Sequence, residues 1–211
     1  QLALQMAWAT QPVRVELYHS ICDPLDASTI RVPLADLYQD HPQKEVHDPE
    51  FCTDFHRTFA QRIVAEHPRM IIFAEAWREA TLPFLGDTVS LLAQESGAEV
   101  IVLGRIPQFV GTPEVIFRRF ADVEELESNA WTLRYKRFDG MDSQLAEISA
   151  KAGAEFISKG EILCPNGKCT MVHDAQITYA DSQHLSIAGM RLMGGALTRN
   201  PALAAALKQR H

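Results

Sequence analysis

Apolar positions in this chain fall into short unbroken runs separated by longer stretches at helical spacing. Met70-Ile71-Ile72-Phe73-Ala74 and Glu99-Val100-Ile101-Val102-Leu103-Gly104 have the pattern of strands buried on both faces. Val13-Arg14-Val15-Glu16-Leu17-Tyr18 alternates and predicts a strand after a short N-terminal helix, and Glu155-Phe156-Ile157-Ser158 predicts another. Phe51, Phe55, Phe59, Ile63 and Val64 form one stripe of a helix. That helix starts with Asp48 as N-cap and Pro49 in its first position, and stops near His67-Pro68. Further helices are predicted from Pro83 to Ser96 with Gly97 as the stop, in one or two pieces over 113–138, and from Asp142 to Ala152 before Gly153. A last helix runs from a Ser186 cap to about Leu197. A loop rich in Asp and Pro fills the stretch from Cys22 to about His47.

Strands alternating with helices of about 10–15 residues predict an α/β fold, a doubly wound parallel sheet with helices on both sides. With 211 residues and no repeat or linker, the chain reads as one domain. Such sheets gather their chemistry beyond the carboxyl ends of the strands, which singles out the segments after Ala74, Gly104 and Ser158.

Composition narrows the function. An apolar share of 46% against 22% charged residues is that of an ordinary globular protein, and no run of 18 apolar residues predicts a membrane span. A formal charge of −7 argues against a nucleic-acid partner, because counterion release needs clustered Lys and Arg. Arg118/Arg119 and Arg134/Lys136/Arg137 are interleaved with apolar residues and read as solvated helix faces. Arg105 reads as a surface salt-bridge residue, with pairing to an anionic sugar as the alternative.

Four cysteines, Cys22, Cys52, Cys164 and Cys169, add a constraint. The last two flank the turn sequence Pro165-Asn166-Gly167-Lys168, which brings their side chains together. An even count with one pair across a turn predicts disulfides and an oxidising compartment, and Cys22 then pairs with Cys52 by elimination. The competing reading is a zinc knuckle with His173 as a third ligand.

The sharpest chemical signal is Tyr179-Ala180-Asp181-Ser182-Gln183-His184-Leu185-Ser186. Three residues apart in a turn, Asp181 can accept a hydrogen bond from one imidazole nitrogen of His184 and leave the other facing outward as a general base. On spacing alone, a helix-capping Asp181 beside an ordinary surface His184 is the commoner arrangement.

Asp181-x-x-His184-Leu185-Ser186-x-x-Gly189 resembles the last sequence block of the SGNH hydrolases, in particular the domain fused to integral-membrane acyltransferase-3 proteins that O-acylate surface polysaccharides. Cys22-Asp23-Pro24-Leu25, Ala74-Glu75-Ala76-Trp77 and Leu163-Cys164-Pro165-Asn166-Gly167-Lys168-Cys169 resemble the same group in the same order. The resemblance implies a three-layer α/β/α flavodoxin-like fold and a Ser-His-Asp triad with His184 and Asp181 as two members. It places the nucleophile in a Gly-Asp-Ser-His block after the first strand. No such block occurs in the 211 residues, so the first strand and the serine are expected upstream of Gln1. Ser20 lacks the Gly of a nucleophile elbow, and Ser182 and Ser186 read as turn and cap residues. At the position where related hydrolases carry Gly-x-Asn, this chain has Trp77, expected either to line the substrate pocket or to be a core aromatic. The implied function is acyl transfer to a sugar hydroxyl of lipopolysaccharide or another envelope polysaccharide. It takes place in the periplasm, without a metal or cofactor, and with a membrane acyltransferase domain on the same polypeptide. A secreted carbohydrate esterase and an inactive glycan-binding module are the alternatives.

Overall fold

The apolar run at 100–103 becomes the central strand of a parallel sheet. The computed structural model describes residues 22–32 and 52–208. In chain order its elements are α1 (Thr53–Ala65), β1 (Met70–Ala74), α2 (Leu82–Ser96), β2 (Glu99–Leu103), α3 (Pro113–Phe117) and α4 (Val123–Asn129). They continue with α5 (Met141–Lys151), β3 (Glu155–Ile157), α6 (Lys159–Leu163), β4 (Val172–His173), β5 (Gln176–Ile177), α7 (Ile187–Arg199) and α8 (Pro201–Lys208). The predicted N-terminal helix, the strand over 13–18 and the helix start at Asp48-Pro49 lie outside the described residues. Among the described residues no helix is long and apolar enough to cross a membrane.

The described residues divide into two compact units, one of 22–32, 52–104 and 141–157, the other of 105–140 and 158–208. The first holds the sheet, in the order β1-β2-β3, all parallel. Met70 lies opposite Glu99, and Ile101 opposite Glu155. Val100, Ile101, Val102 and Leu103 of β2 are all buried, as a strand paired on both edges and covered on both faces requires. Each parallel step needs a crossover: α2 joins β1 to β2, and α5 lies on the path from β2 to β3. Helix α2 packs against both α1 and α5. Leu85, Val89 and Leu92 of α2 are fully buried, each worth about 1.5–3 kcal/mol of apolar transfer. The helix ends where Gly97 turns left-handed at φ 69°, as its sequence predicts.

The buried face of α1 differs from the predicted stripe. It carries His56, Phe59, Ala60 and Ile63, while Phe55 and Val64 are half-buried. The physical reason is a buried hydrogen bond between His56 Nδ1 and the Leu25 carbonyl, 2.9 Å long. Burial holds this imidazole below its usual pKa, so the neutral ring donates through Nδ1. The 22–32 loop is pinned to the same unit by the Cys22–Cys52 disulfide and the Asp23–Arg78 ion pair. Asp26 N also donates to Thr88 Oγ1 at 3.1 Å.

Trp77 follows β1, is fully buried, and lies beside Phe73 with ring centroids 6.4 Å apart. Its indole N–H donates to the Leu103 carbonyl at the end of β2, 2.7 Å away. The side chain therefore fastens the loop after one strand to the tip of the next.

In the second unit α7 packs against α6, α8 and the β4-β5 hairpin. The stretch 113–138 forms two short α-helices and two 3-10 turns, Ala130–Leu133 and Lys136–Phe138. The last predicted helix runs on to Arg199, and α8 follows it. The β4-β5 hairpin was not legible because its turn is Asp174-Ala175, both at positive φ (50° and 57°), where Asn-Gly is the usual signal.

Replacing Trp77 by Phe keeps the apolar body and leaves the Leu103 carbonyl without its indole donor. We expect a loss of about 1–3 kcal/mol, measured by urea unfolding.

Candidate functional site

The site builds up from the turn between β5 and α7. Ser186 caps α7, its Oγ accepting from Gly189 N at 3.2 Å and donating to the Ile177 carbonyl. Ser186 N donates to the Thr178 carbonyl at 2.9 Å, and Ala180 N to the His184 carbonyl at 2.8 Å. Tyr179 pairs across the turn with Leu185. These bonds close residues 178–186 into a hairpin whose tip is Asp181-Ser182-Gln183. A Cβ on Gly189 would collide with the Thr178 carbonyl oxygen, so only glycine lets α7 begin this close to the hairpin. Beneath it Tyr179 is buried, with its ring edge-on to Phe109 at 4.9 Å. Burial pushes the Tyr179 hydroxyl well above its usual pKa, and it stays protonated.

At the tip, Asp181 Oδ1 accepts from Gln183 N and His184 N, both at 2.8 Å. Its Oδ2 lies 2.7 Å from His184 Nδ1. The His184 hydrogen bond, followed by that of the Gln183 amide, holds the Asp181 carboxyl below the usual aspartate range. With Asp181 ionised, Nδ1 carries the proton of the neutral ring. Nε2 is then left with its lone pair and no protein partner among the described residues. The His184 side chain is 68% exposed, so a substrate can reach that nitrogen. Chemically the pair can take a proton from a hydroxyl and stabilise the resulting imidazolium.

The remaining predicted residues are placed as follows. Cys22 is joined to Cys52, and Cys164 to Cys169. Both sulfurs of the second pair are thereby committed, which removes the ligand set of the zinc alternative with His173. The loop that the second disulfide closes is held by Glu127, whose carbonyl accepts from Cys169 N at 2.9 Å and whose carboxylate accepts from Met171 N at 3.0 Å. Trp77 belongs to the other unit, with its indole N–H engaged on Leu103 as described. Arg105 is not a surface residue: it is 9% exposed, with its guanidinium 3.7 Å from the centre of the Phe138 ring. Arg134 is consumed internally by two bonds to Asp139 (3.0 and 2.8 Å), one to the Trp131 carbonyl, and stacking on the Trp131 ring.

A neighbour of the Asp181–His184 turn was missed by sequence reasoning. Phe109 N donates to the Ser182 carbonyl at 2.8 Å, and Gln108 Nε2 to Gln183 Oε1 at 3.3 Å. The same segment pairs on its other side with 133–135, through Val110 N to Leu133 O and Tyr135 N to Gln108 O. Ile106-Pro107-Gln108 shows no strand periodicity, so only the position after β2 pointed here.

The parallel α/β sheet and the aspartate–histidine turn before the last long helix define a class of domain. The family profile described as the SGNH domain (fused to AT3 domains) matches residues 9–199, and the chain belongs to that family. No curated relative matches the chain. Among solved structures it is similar to the periplasmic domain of a lipopolysaccharide acetyltransferase from Salmonella ser. Paratyphi A, at 18% identity and a TM-score of 0.55. The alignment covers 72% of this chain and 62% of that one, and the likeness is one of fold, the SGNH-type α/β/α arrangement.

Two outcomes test the local geometry. Gly189→Ala should destabilise the protein by about 2 kcal/mol or more in urea unfolding, because the clash falls on backbone. The depressed Asp181 pKa means that the stability this carboxylate adds is complete above the ordinary aspartate range. That stability is lost as pH falls through the lowered folded value. Unfolding measured across acid pH should show this dependence, and Asp181→Asn should flatten it.

Proposed function

We propose that this SGNH domain transfers an acyl group, acetyl in the first instance, to a sugar hydroxyl of lipopolysaccharide or another envelope polysaccharide. Family membership supports acyl-transfer or ester chemistry in general. The single observation that carries the finer reading is the 2.7 Å contact between Asp181 and His184 Nδ1, with Nε2 open. In this reading the 211 residues form one domain. Its nucleophile is a serine in a Gly-Asp-Ser block expected upstream of Gln1, on the turn after the family's first strand. Trp77 contributes as a wall of the region beyond β1 and β2 and not as a donor, since its N–H is engaged. The domain works in the periplasm, tethered by an acyltransferase-3 membrane domain of the same polypeptide that delivers the acyl group.

The mechanism follows from the dyad. His184 Nε2 takes the serine proton as the serine oxygen bonds to the acyl carbon, and the donor leaves with that proton. A sugar hydroxyl then gives its proton to Nε2 and bonds to the acyl carbon, and the serine oxygen leaves and is reprotonated. Asp181 keeps the ring in the tautomer that accepts at Nε2 and offsets the charge of the imidazolium. Water in place of the sugar would give hydrolysis from the same groups.

The test is made on the full-length protein. His184→Ala should lower acyl transfer by about 10²–10⁴-fold, and Asp181→Asn by a comparable factor, because the amide favours the wrong tautomer. Transfer measured with a radiolabelled acetyl donor that is unchanged in the His184→Ala protein would sink the assignment.

A further inference from the structure

The segment 108–110 lies between the 178–186 hairpin and the strand-like stretch 133–135, and alternation of side chains along it sorts its residues onto two faces. Phe109 is turned inward, 1% exposed and against Tyr179. Gln108 and Val110 therefore share the outward face, and Val110 is 46% exposed. Phe109 pairs antiparallel with Arg134, which sets Gln108 directly opposite Tyr135 and Val110 opposite Leu133 on that outward face. On the hairpin side, the Gln108 amide meets the Gln183 amide at 3.3 Å, and Gln183 is the neighbour of His184 in the chain.

The result is an outward row of Tyr135, Gln108 and Gln183, and the chain passes from Gln183 directly to His184. Tyr135 is 47% exposed, and the phenol has no hydrogen-bond partner among the described residues. Two strand spacings separate the Tyr135 backbone from the hairpin tip, about 10 Å. Each glutamine amide offers two N–H donors and an acceptor, and their mutual bond uses one of each, so both keep hydrogen-bonding capacity toward solvent. A flat aromatic face beside two amides fits a pyranose: the apolar C–H face of the ring lies on the phenol, and the hydroxyls bond the amides.

We infer that Tyr135, Gln108 and Gln183 form the acceptor-sugar subsite of the Asp181–His184 dyad. This inference rests on the function proposed above. It deepens that reading by locating the saccharide on the second unit's own surface, beside the hairpin tip that carries the dyad. The backbone ties explain why the subsite is kept in register with the dyad. Phe109 N to Ser182 O fixes the tip that carries Asp181, and Tyr135 N to Gln108 O fixes the aromatic.

The experiment uses the full-length protein in detergent, with oligosaccharide released by mild acid from lipopolysaccharide as acceptor and p-nitrophenyl acetate as the probe of hydrolysis by water. Tyr135→Ala and Gln108→Ala should each raise the KM for the oligosaccharide about tenfold, with hydrolysis of the aryl ester kept within about twofold. Tyr135→Phe, which keeps the ring, should keep the KM. An unchanged KM in Tyr135→Ala overturns the subsite, and so does an equal loss of transfer and aryl-ester hydrolysis. Calorimetric titration of the oligosaccharide into the His184→Ala protein separates this inference from the catalytic one. If that variant still transfers, the dyad reading fails, while oligosaccharide binding that disappears on adding Tyr135→Ala still upholds the subsite.

Discussion

A carboxylate that accepts three hydrogen bonds within its own turn is the contact on which the proposed chemistry of this domain depends. Two come from the backbone amides of Gln183 and His184, and they would form around any aspartate beginning a turn of this shape. The third, from the imidazole, converts that local motif into an oriented base. The two backbone bonds alone fix the carboxylate, so holding the imidazole costs little further freedom of the Asp181 side chain. Exposure limits what the pair adds to stability, since solvent screens a contact between side chains 48% and 68% accessible. Its value lies in the ring orientation, which needs only that Asp181 stay ionised, and the lowered pKa secures that.

The turn in turn depends on what lies below it. Ser186 bonds to Ile177 and Gly189, Gly189 lets the helix approach the Thr178 carbonyl, and Tyr179 packs under the hairpin against Phe109. Tyr179 and Phe109 are buried, and Ser186 and Gly189 act through the backbone they cap or admit. A run such as Tyr-x-Asp-x-x-His-Leu-Ser-x-x-Gly therefore encodes a support as well as a dyad, and loss of the support would leave both titratable residues present and misaligned.

Much of this was legible because it is local. Apolar runs of five and four residues mark β1 and β2, Gly97 marks the end of α2, and Ser186 marks the start of α7, since each signal and its structural consequence lie within one turn or one strand. The contact between Asp181 and His184 was legible for the same reason. What escaped was non-local. The rotation of α1 toward His56 depends on a carbonyl 31 residues away at Leu25. Arg105 became buried because Phe138 folds over it, and Trp77 became a fastener because its indole N–H reaches the Leu103 carbonyl, 26 residues away. The pairing of 108–110 with both 133–135 and 182 joins three segments of the chain, none of which alternates on its own.

That last pairing changes how the basic residues around 134–137 are understood. As a charge cluster they suggest a solvated helix face. In the structure Arg134 is an internal strut, holding Asp139 with both nitrogens of its fork while lying on Trp131, and it is the residue that stands across from Phe109. Arginine suits this role because a planar, permanently charged fork can grip a carboxylate and stack on an indole at once, which lysine cannot. The cation thus serves the backbone geometry that turns Tyr135 outward beside Gln108. Arg134 serves the shape of this unit, and in the inferred subsite recognition falls to neutral groups, an aromatic face and two amides. A net charge of −7 is compatible with that division, because a hydroxyl-rich ligand held by stacking and amide hydrogen bonds requires no electrostatic attraction.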